Sequence, residues 1–180
     1  MKKRIMIIGP GQSGKSSLSN VLNEADRPLK KTQDVIYGKN TIDTPGAYIE
    51  NASMYKYLIA TAQTAACVLI LVDQSRPVEV YPPRFAKTFT CPVLGVITKM
   101  DLVPGNEDWS RRQLQKIGVC EPYYPISLLT DTGVKELKDY LFGKKALKKT
   151  EFFHYISGCS LPYYCREIYG KGFLGEEVER

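Results

Sequence analysis

The chain has 180 residues, of which 43% are hydrophobic and 24% are charged. This size and balance fit one globular domain and exclude a disordered or collagen-like chain. The formal net charge is +6, but the lysines and arginines are dispersed, which favours a solvated surface and no nucleic-acid partner. The longest apolar run, 65–72, is too short to cross a bilayer, so we expect no transmembrane segment. Five widely spaced cysteines and a single histidine are typical of a reducing cytoplasm.

Along the chain, short apolar runs alternate with stretches that have a helical pattern. This alternation predicts an α/β fold with a mostly parallel central sheet, and the continuously apolar runs at 66–72 and 93–98 predict its centre. A hairpin that turns at 38–40 is expected to add one short antiparallel edge strand. In chain order, the predicted strands are 4–8, 34–37, 41–43, 66–72, 93–98 and 124–127, and the predicted helices are 15–23, 52–64, 83–89, 108–117 and 134–142.

The first strand leads directly into GPGQSGKS, a full match to the phosphate-binding pattern G-x-x-x-x-G-K-[ST] between a strand and a helix. Its glycines let the backbone wrap closely around phosphate, and its N–H groups converge on phosphate oxygens. Lys15 is expected to reach the β- and γ-phosphates, and Ser16 to bind Mg²⁺ through its hydroxyl. The residues that we assign to nucleotide binding here are Gly9, Gly11, Gln12, Ser13, Gly14, Lys15, Ser16 and Ser17.

A second motif, Asp43-Thr44-Pro45-Gly46, follows the hairpin. Alone, this sequence is a common turn. After a phosphate-binding loop, Asp43 is expected to hold Mg²⁺ through water, and Gly46 to offer its N–H to a γ-phosphate.

A third motif, Thr98-Lys99-Met100-Asp101, stands at the carboxyl end of the strand 93–98, where open α/β sheets bind ligands. The Asp101 carboxylate can accept both the N1–H and the N2 amine of guanine, a donor pair that adenine lacks, which favours GTP and GDP over ATP. Lys99 is expected to lie along the base and to tie this loop to the phosphate-binding loop. After the last strand, the loop that begins with Ser127 and Leu128 is expected to offer backbone N–H groups to guanine O6.

These motifs, in this order, resemble those of the Ras-like translation-factor class of GTPases over residues 1–147. More narrowly, the segments GPGQSGKSSL, KKTQDVIYGKNTIDTPGAYIEN and TKMDLV resemble the EutP/PduV family, small GTPase-like proteins of ethanolamine- and propanediol-utilisation bacterial microcompartments. The resemblance implies a three-layer P-loop NTPase fold of the Ras-like G-domain type, Mg²⁺ and guanine nucleotide as ligands, and a cytoplasmic protein associated with these compartments and their shell proteins.

The resemblance also implies that Thr32 is the switch threonine that closes over Mg²⁺ and the γ-phosphate. With it, the candidate catalytic residues are Lys15, Thr32 and Gly46, and the candidate metal ligands are Ser16, Thr32 and Asp43.

Two positions of the motifs predict slow turnover. The residue after Gly46 is Ala47, where Ras-like enzymes place a glutamine that orients water. Gln12 stands where some members of the wider class use an asparagine to recruit potassium. We therefore expect slow GTP hydrolysis, unless a partner supplies the missing group or the γ-phosphoryl passes to an acceptor other than water.

Two alternatives stay open: a phosphotransferase of the acetate kinase type, and a shell-associated binding module with little turnover. The motifs end before residue 148, so the predicted G domain covers 1–149. The segment 150–180 holds seven of the 18 phenylalanines and tyrosines without a sustained periodicity, and we expect it to be a C-terminal appendage.

Overall fold

The structure is a computed structural model that describes residues 4–29 and 32–143. The predicted appendage, 150–180, lies outside the described residues. The strands are β1 (Ile5–Ile8), β2 (Ile36–Tyr37), β3 (Thr41–Asp43), β4 (Cys67–Asp73), β5 (Val93–Thr98) and β6 (Tyr123–Ile126). The helices are α1 (Lys15–Asn23), α2 (Ala47–Glu50), α3 (Tyr55–Ala62), α4 (Glu107–Ile117) and α5 (Val134–Phe142). Within the described residues, none of the helices is long and apolar enough to cross a membrane.

The strands form one sheet in the order β2-β3-β1-β4-β5-β6. The edge strand β2 pairs antiparallel with β3, and every other neighbouring pair is parallel. The prediction of a mostly parallel sheet with one short antiparallel edge strand is therefore confirmed. Because the carboxyl ends of parallel strands meet at one edge, the loops after β1, β3, β4, β5 and β6 all lie at that edge.

Two apolar layers cover the central strands. In β4, side chains alternate between them: Val68 and Ile70 pack into the layer with α3 and α4, whereas Leu69 and Leu71 pack into the layer with α1 and α5. All seven residues of β4 are buried. Burial on both faces explains why this strand is continuously apolar instead of alternating, as predicted for the sheet centre.

The predicted helix 52–64 is wrong at its start. The chain first forms the short helix α2, then a 3-10 turn over Ala52–Met54, and only then α3. Asn51 separates them because its backbone is extended, with φ of −119° and ψ of 113°, and its side chain accepts a hydrogen bond from the Ser53 N–H. This is how an Asn interrupts a helix and caps the next turn.

The predicted helix 83–89 is also wrong, since this segment holds only a 3-10 turn over Phe85–Thr88. Arg84 before the turn is left-handed, with φ of 60°, and Phe89 after it is extended. The segment buries the aromatic rings of Phe85 and Phe89, which pack at right angles to each other with centroids 5.1 Å apart. Aromatic packing therefore fixes this segment without the hydrogen bonds of an α-helix.

Candidate functional site

The phosphate-binding loop joins β1 to α1 and is closed by polar contacts. Gly14, the last residue before the helix, has φ of 88°, a conformation that glycine adopts without a steric cost. The Ser13 hydroxyl donates to the Pro10 carbonyl at 2.9 Å, and a Cβ at Gly9 would lie only 2.5 Å from the Ser13 Oγ. Ser13 is fully buried, whereas Ser17 is half-buried on the first turn of α1. The loop is thus tightly folded by its own contacts.

Lys15 holds a buried positive charge at the centre of this loop. Its Nζ donates to the Pro10 carbonyl at 2.6 Å, and its side chain is 6% exposed. Burial lowers the pKa of Lys15, whereas the nearby carboxylates of Asp43 and Glu50 raise it. The ammonium group is therefore poorly solvated, so the negative oxygens of a phosphate group would stabilise its charged form.

The three predicted metal ligands, from three different segments, meet beside Lys15. The Ser16 hydroxyl donates to Asp43 Oδ2 at 2.7 Å, and Thr32 Oγ1 lies 3.2 Å from Ser16 Oγ and 3.4 Å from the same carboxylate oxygen. Asp43 Oδ1 is buried and has no hydrogen-bond partner among the described residues. Burial raises the pKa of Asp43 despite the hydrogen bonds to its carboxylate. Hydroxyl and carboxylate oxygens with an unsatisfied acceptor fit Mg²⁺.

The Asp43-Thr44-Pro45-Gly46 motif packs against the phosphate-binding loop. A Cβ at Gly46 would lie 2.5 Å from the Gly11 nitrogen and 2.8 Å from Gly11 Cα, so only glycine fits there without moving one segment. One helical turn after Ala47, the Glu50 carboxylate accepts a hydrogen bond from the Gly11 N–H at 2.6 Å. One backbone N–H of the phosphate-binding loop is therefore already hydrogen-bonded to an anionic oxygen.

The connection between the third motif and the phosphate-binding loop differs from the one expected. The Thr98 hydroxyl makes it, donating to the Ser13 carbonyl at 3.0 Å across 85 residues. The Lys99 ammonium group pairs instead with Asp73, at the end of β4, at 2.6 Å. Lys99 also has a left-handed backbone, with φ of 58°, which turns the chain sharply after β5.

The predicted base-binding residues lie in two adjoining loops. Asp101 follows Lys99 by two residues and is half-buried, and the Met100 N–H donates to the Ile126 carbonyl at 3.3 Å. Ser127 is buried, and its N–H donates to the Thr132 carbonyl at 3.0 Å, so this amide is engaged within the protein. The Leu128 side chain comes within 4.0 Å of a Cβ built on Gly14. The second loop therefore adjoins the end of the phosphate-binding loop.

Sequence reasoning missed three charged residues around this site: Glu50, Asp73 and Arg76. They line a cavity of about 270 Å³ beside Pro10 and Gly11, together with apolar side chains and Trp109. Asp73 carried a usable signal, because it ends an apolar strand at the edge where ligands bind. The other two lie in a short helix and a loop, where no pattern singles them out.

Comparisons with known proteins show the family to which the chain is related. The family model described as "Ethanolamine utilisation - propanediol utilisation" matches residues 2–143. The propanediol utilization protein PduV of Citrobacter freundii is 34% identical over 145 residues, covering 80% of this chain and 96% of that protein. The probable acetate kinase EutP of Escherichia coli K12 is 29% identical over 141 residues, covering 77% and 89%.

Among solved structures, a variant of S. thermophilus NFeoB bound to GDP.AlF4- is similar, with a TM-score of 0.59 and 23% identity over 91% of this chain and 76% of that one. Likeness at this identity shows the fold alone, which is that of a Ras-like P-loop GTPase domain. With the family model matching most of its length, the chain belongs to the PduV-EutP family of ethanolamine and propanediol utilisation proteins.

Proposed function

We propose that this chain is a Mg²⁺-dependent guanine-nucleotide-binding protein that hydrolyses GTP slowly. The observation that carries the proposal is the meeting of Ser16, Thr32 and Asp43 beside the buried Lys15, with Asp43 Oδ1 left unsatisfied. Two hydroxyls and a desolvated carboxylate at the end of a phosphate-binding loop form the oxygen donor set that Mg²⁺ prefers. Guanine-nucleotide complexes of similar folds, such as the NFeoB variant with GDP.AlF4-, support the same class of ligand.

In this proposal the base is recognised by the loops after β5 and β6. Asp101 accepts the two guanine donors, and Thr98 connects this loop to the phosphate-binding loop. Lys99, held by Asp73, lies along the base. The Ser127 amide is engaged by Thr132, so the contact to guanine O6 falls to the amide of Leu128.

Each phosphate contact in this proposal has a separate task. Lys15 exchanges the Pro10 carbonyl for β- and γ-phosphate oxygens, and Ser16, Thr32 and Asp43 hold Mg²⁺. Bound Mg²⁺ neutralises phosphate charge. The Gly46 N–H binds the γ-phosphate, and this contact keeps the segment 43–46 close to the phosphate-binding loop. Ala47 has no group to orient the attacking water, so we expect a rate constant for GTP hydrolysis of about 10⁻⁴ to 10⁻² s⁻¹.

A second candidate function is phosphoryl transfer to a small carboxylate. The cavity of about 270 Å³ adjoins Gly11 of the phosphate-binding loop and has apolar walls, and its cationic Arg76 could pair with a small acid. Its two carboxylates are already engaged, Glu50 by the Gly11 N–H and Asp73 by Lys99. The E. coli relative bears the name probable acetate kinase EutP. Transfer to acetate would produce acetyl phosphate in place of inorganic phosphate.

The family also suggests where the reaction is used. We infer a role in ethanolamine or propanediol utilisation and an association with the corresponding microcompartments and their shell proteins. A shell-associated module that scarcely turns nucleotide over is the third candidate, and shell binding that does not depend on nucleotide would favour it.

The test begins with purification of the full chain and identification of the nucleotide that copurifies. Single-turnover assays then follow GTP and ATP in Mg²⁺ and in EDTA, with and without acetate. We expect slow, Mg²⁺-dependent GTP hydrolysis that Lys15→Ala abolishes together with binding. Lys39→Ala, which removes the same charge from an exposed turn, is the matched control. Equal binding of ATP and GTP would refute the guanine assignment, and rapid acetyl phosphate formation would make phosphotransfer the principal reaction.

A further inference from the structure

An arginine from outside the known motifs contacts the phosphate-binding loop. Arg76 lies in the loop after β4, and its Nη1 donates to Gln12 Oε1 at 2.8 Å, across 64 residues of sequence. Gln12 is within the phosphate-binding loop, between Gly11 and Ser13. Arg76 also lines the cavity beside Pro10 and Gly11. The guanidinium group of this exposed arginine therefore lies next to the backbone that would surround a nucleotide's phosphates.

The acidic side chains near Arg76 are already engaged. The Asp73 carboxylate pairs with Lys99 through Oδ2 and accepts two hydrogen bonds from Ser75 through Oδ1. Glu50 accepts from the Gly11 N–H. In the part of the chain that the structure describes, Arg76 forms no ion pair, so its positive charge stays available to an anionic ligand.

The backbone on both sides of this contact is specifically shaped. The Arg76 N–H donates to the Asp73 carbonyl at 3.2 Å, and its own carbonyl accepts from the Val78 N–H at 2.8 Å, so the chain turns tightly at this exposed residue. Gln12 has φ of 65°, a left-handed conformation that a residue with a side chain rarely adopts. Residues in this conformation are enriched at active sites and ligand-binding loops, and this chain also has them at the helix cap Glu24 and the turn residue Arg84.

We propose that Arg76 is a catalytic residue that supplies, from within the same chain, the positive charge that stabilises phosphoryl transfer. The inference rests on the proposed function. In hydrolysis, the oxygen of water bonds to the γ-phosphorus while the bond from this phosphorus to the β–γ bridging oxygen breaks. The electron pair stays on the bridging oxygen, which becomes part of the β-phosphate of GDP. One proton of the attacking water passes to an oxygen of the released inorganic phosphate, and the other stays on the new P–O group. Arg76 binds the oxygens on which negative charge grows.

Gln12 acts as a positioning residue in this arrangement. Its side-chain oxygen accepts one of the five N–H donors of Arg76, which leaves the others for phosphate. The positive charge near this part of the loop then belongs to the Arg76 side chain and not to a bound potassium ion. Turnover should therefore be the same in sodium and in potassium.

The size of the effect can be taken from GTPases with and without such an arginine. Gα subunits, which have one in the same chain, hydrolyse GTP at about 10⁻² s⁻¹, whereas Ras alone reaches about 3 to 5 × 10⁻⁴ s⁻¹. We therefore expect Arg76→Ala to slow single-turnover hydrolysis by about 20- to 30-fold. Affinity for GDP should stay within about twofold, since the charge acts on the transition state and not on the bound product.

The experiment compares the full chain with Arg76→Ala, Arg76→Lys and the matched control Arg112→Ala, which removes an exposed arginine of α4. Each variant is assayed for hydrolysis, for GDP affinity and for formation of the complex with GDP and aluminium fluoride, a mimic of the transferring phosphoryl group. Arg76→Ala should lose this complex, Arg76→Lys should retain part of it, and Arg112→Ala should match the wild-type chain. Thermal melting of each variant checks folding.

Three results would count against the inference in different ways. If Arg76→Ala binds GTP and hydrolyses it within twofold of the wild-type rate, the arginine is not catalytic although the proposed function stands. If the wild-type chain fails to bind GTP, the proposed function and this inference both fail. A potassium requirement of the wild-type chain would also count against Arg76, because a recruited ion would then supply the charge.

Discussion

The contact between Gly46 and Gly11 makes Gly46→Ala a sharp test of how the site senses the γ-phosphate. The added Cβ would lie 2.5 Å from the Gly11 nitrogen, 2.8 Å from Gly11 Cα and 3.0 Å from the Pro10 carbonyl carbon. All three are backbone atoms, and an ordinary van der Waals contact needs about 3.5 Å or more. The segment that begins at Gly46 must therefore move away from the phosphate-binding loop by about 1 Å.

This displacement should weaken binding of the triphosphate more than binding of the diphosphate. A hydrogen bond to a charged oxygen contributes about 1.5 to 3 kcal/mol, and about 1.4 kcal/mol changes an equilibrium constant tenfold. Loss of the proposed Gly46 contact should weaken binding of a non-hydrolysable GTP analogue by about 10- to 150-fold. GDP lacks the γ-phosphate, so its affinity should change by less than about threefold. Fluorescence titration with both nucleotides at saturating Mg²⁺ measures the two changes.

Gly105→Ala is the matched control, because a Cβ at that position would meet no atom within 4 Å. It should leave both affinities unchanged. If Gly46→Ala weakens GDP and the GTP analogue equally, the damage is to the phosphate-binding loop itself and Gly46 is not a γ-phosphate sensor. Unchanged binding of both nucleotides would refute the contact altogether.

The remaining predictions concern the base, the contact between loops and the end of the chain. Asp101→Asn should weaken GTP binding by about 2 to 4 kcal/mol and raise the relative affinity for xanthosine triphosphate, whose 2-oxo group needs a donor; calorimetry with both nucleotides measures this, and unaltered GTP affinity would contradict it. Thr98→Val should lose about 1 to 3 kcal/mol of stability in urea unfolding and weaken nucleotide binding, because the buried Ser13 carbonyl loses its donor, whereas Thr98→Ser should retain most of both. A chain that ends at Lys149 should melt as a folded domain and bind nucleotide like the full chain; insolubility or loss of binding would mean that the segment 150–180 belongs to the core.

The parts of the site that the sequence predicts are those formed by residues that follow one another in the chain. The phosphate-binding loop is recognisable because a strand, a run of glycines, a lysine and a helix start must follow one another for the backbone to surround phosphate. The apolar runs also predicted the centre of the sheet, since a strand that is covered on both faces has no polar side. The two wrong helices show the limit of such patterns, because Asn51 and Arg84 interrupt them through local backbone geometry and not through composition.

Only the tertiary structure decided which side chains meet around the loop. Thr98 reaches Ser13 across 85 residues, Glu50 reaches Gly11 across 39, and Arg76 reaches Gln12 across 64. Each contact depends on the order of strands in the sheet, which brings the loops after different strands to one edge. Spacing along the chain does not encode that order: the sequence determines what the phosphate-binding loop is, and the packing of the sheet determines which charges surround it.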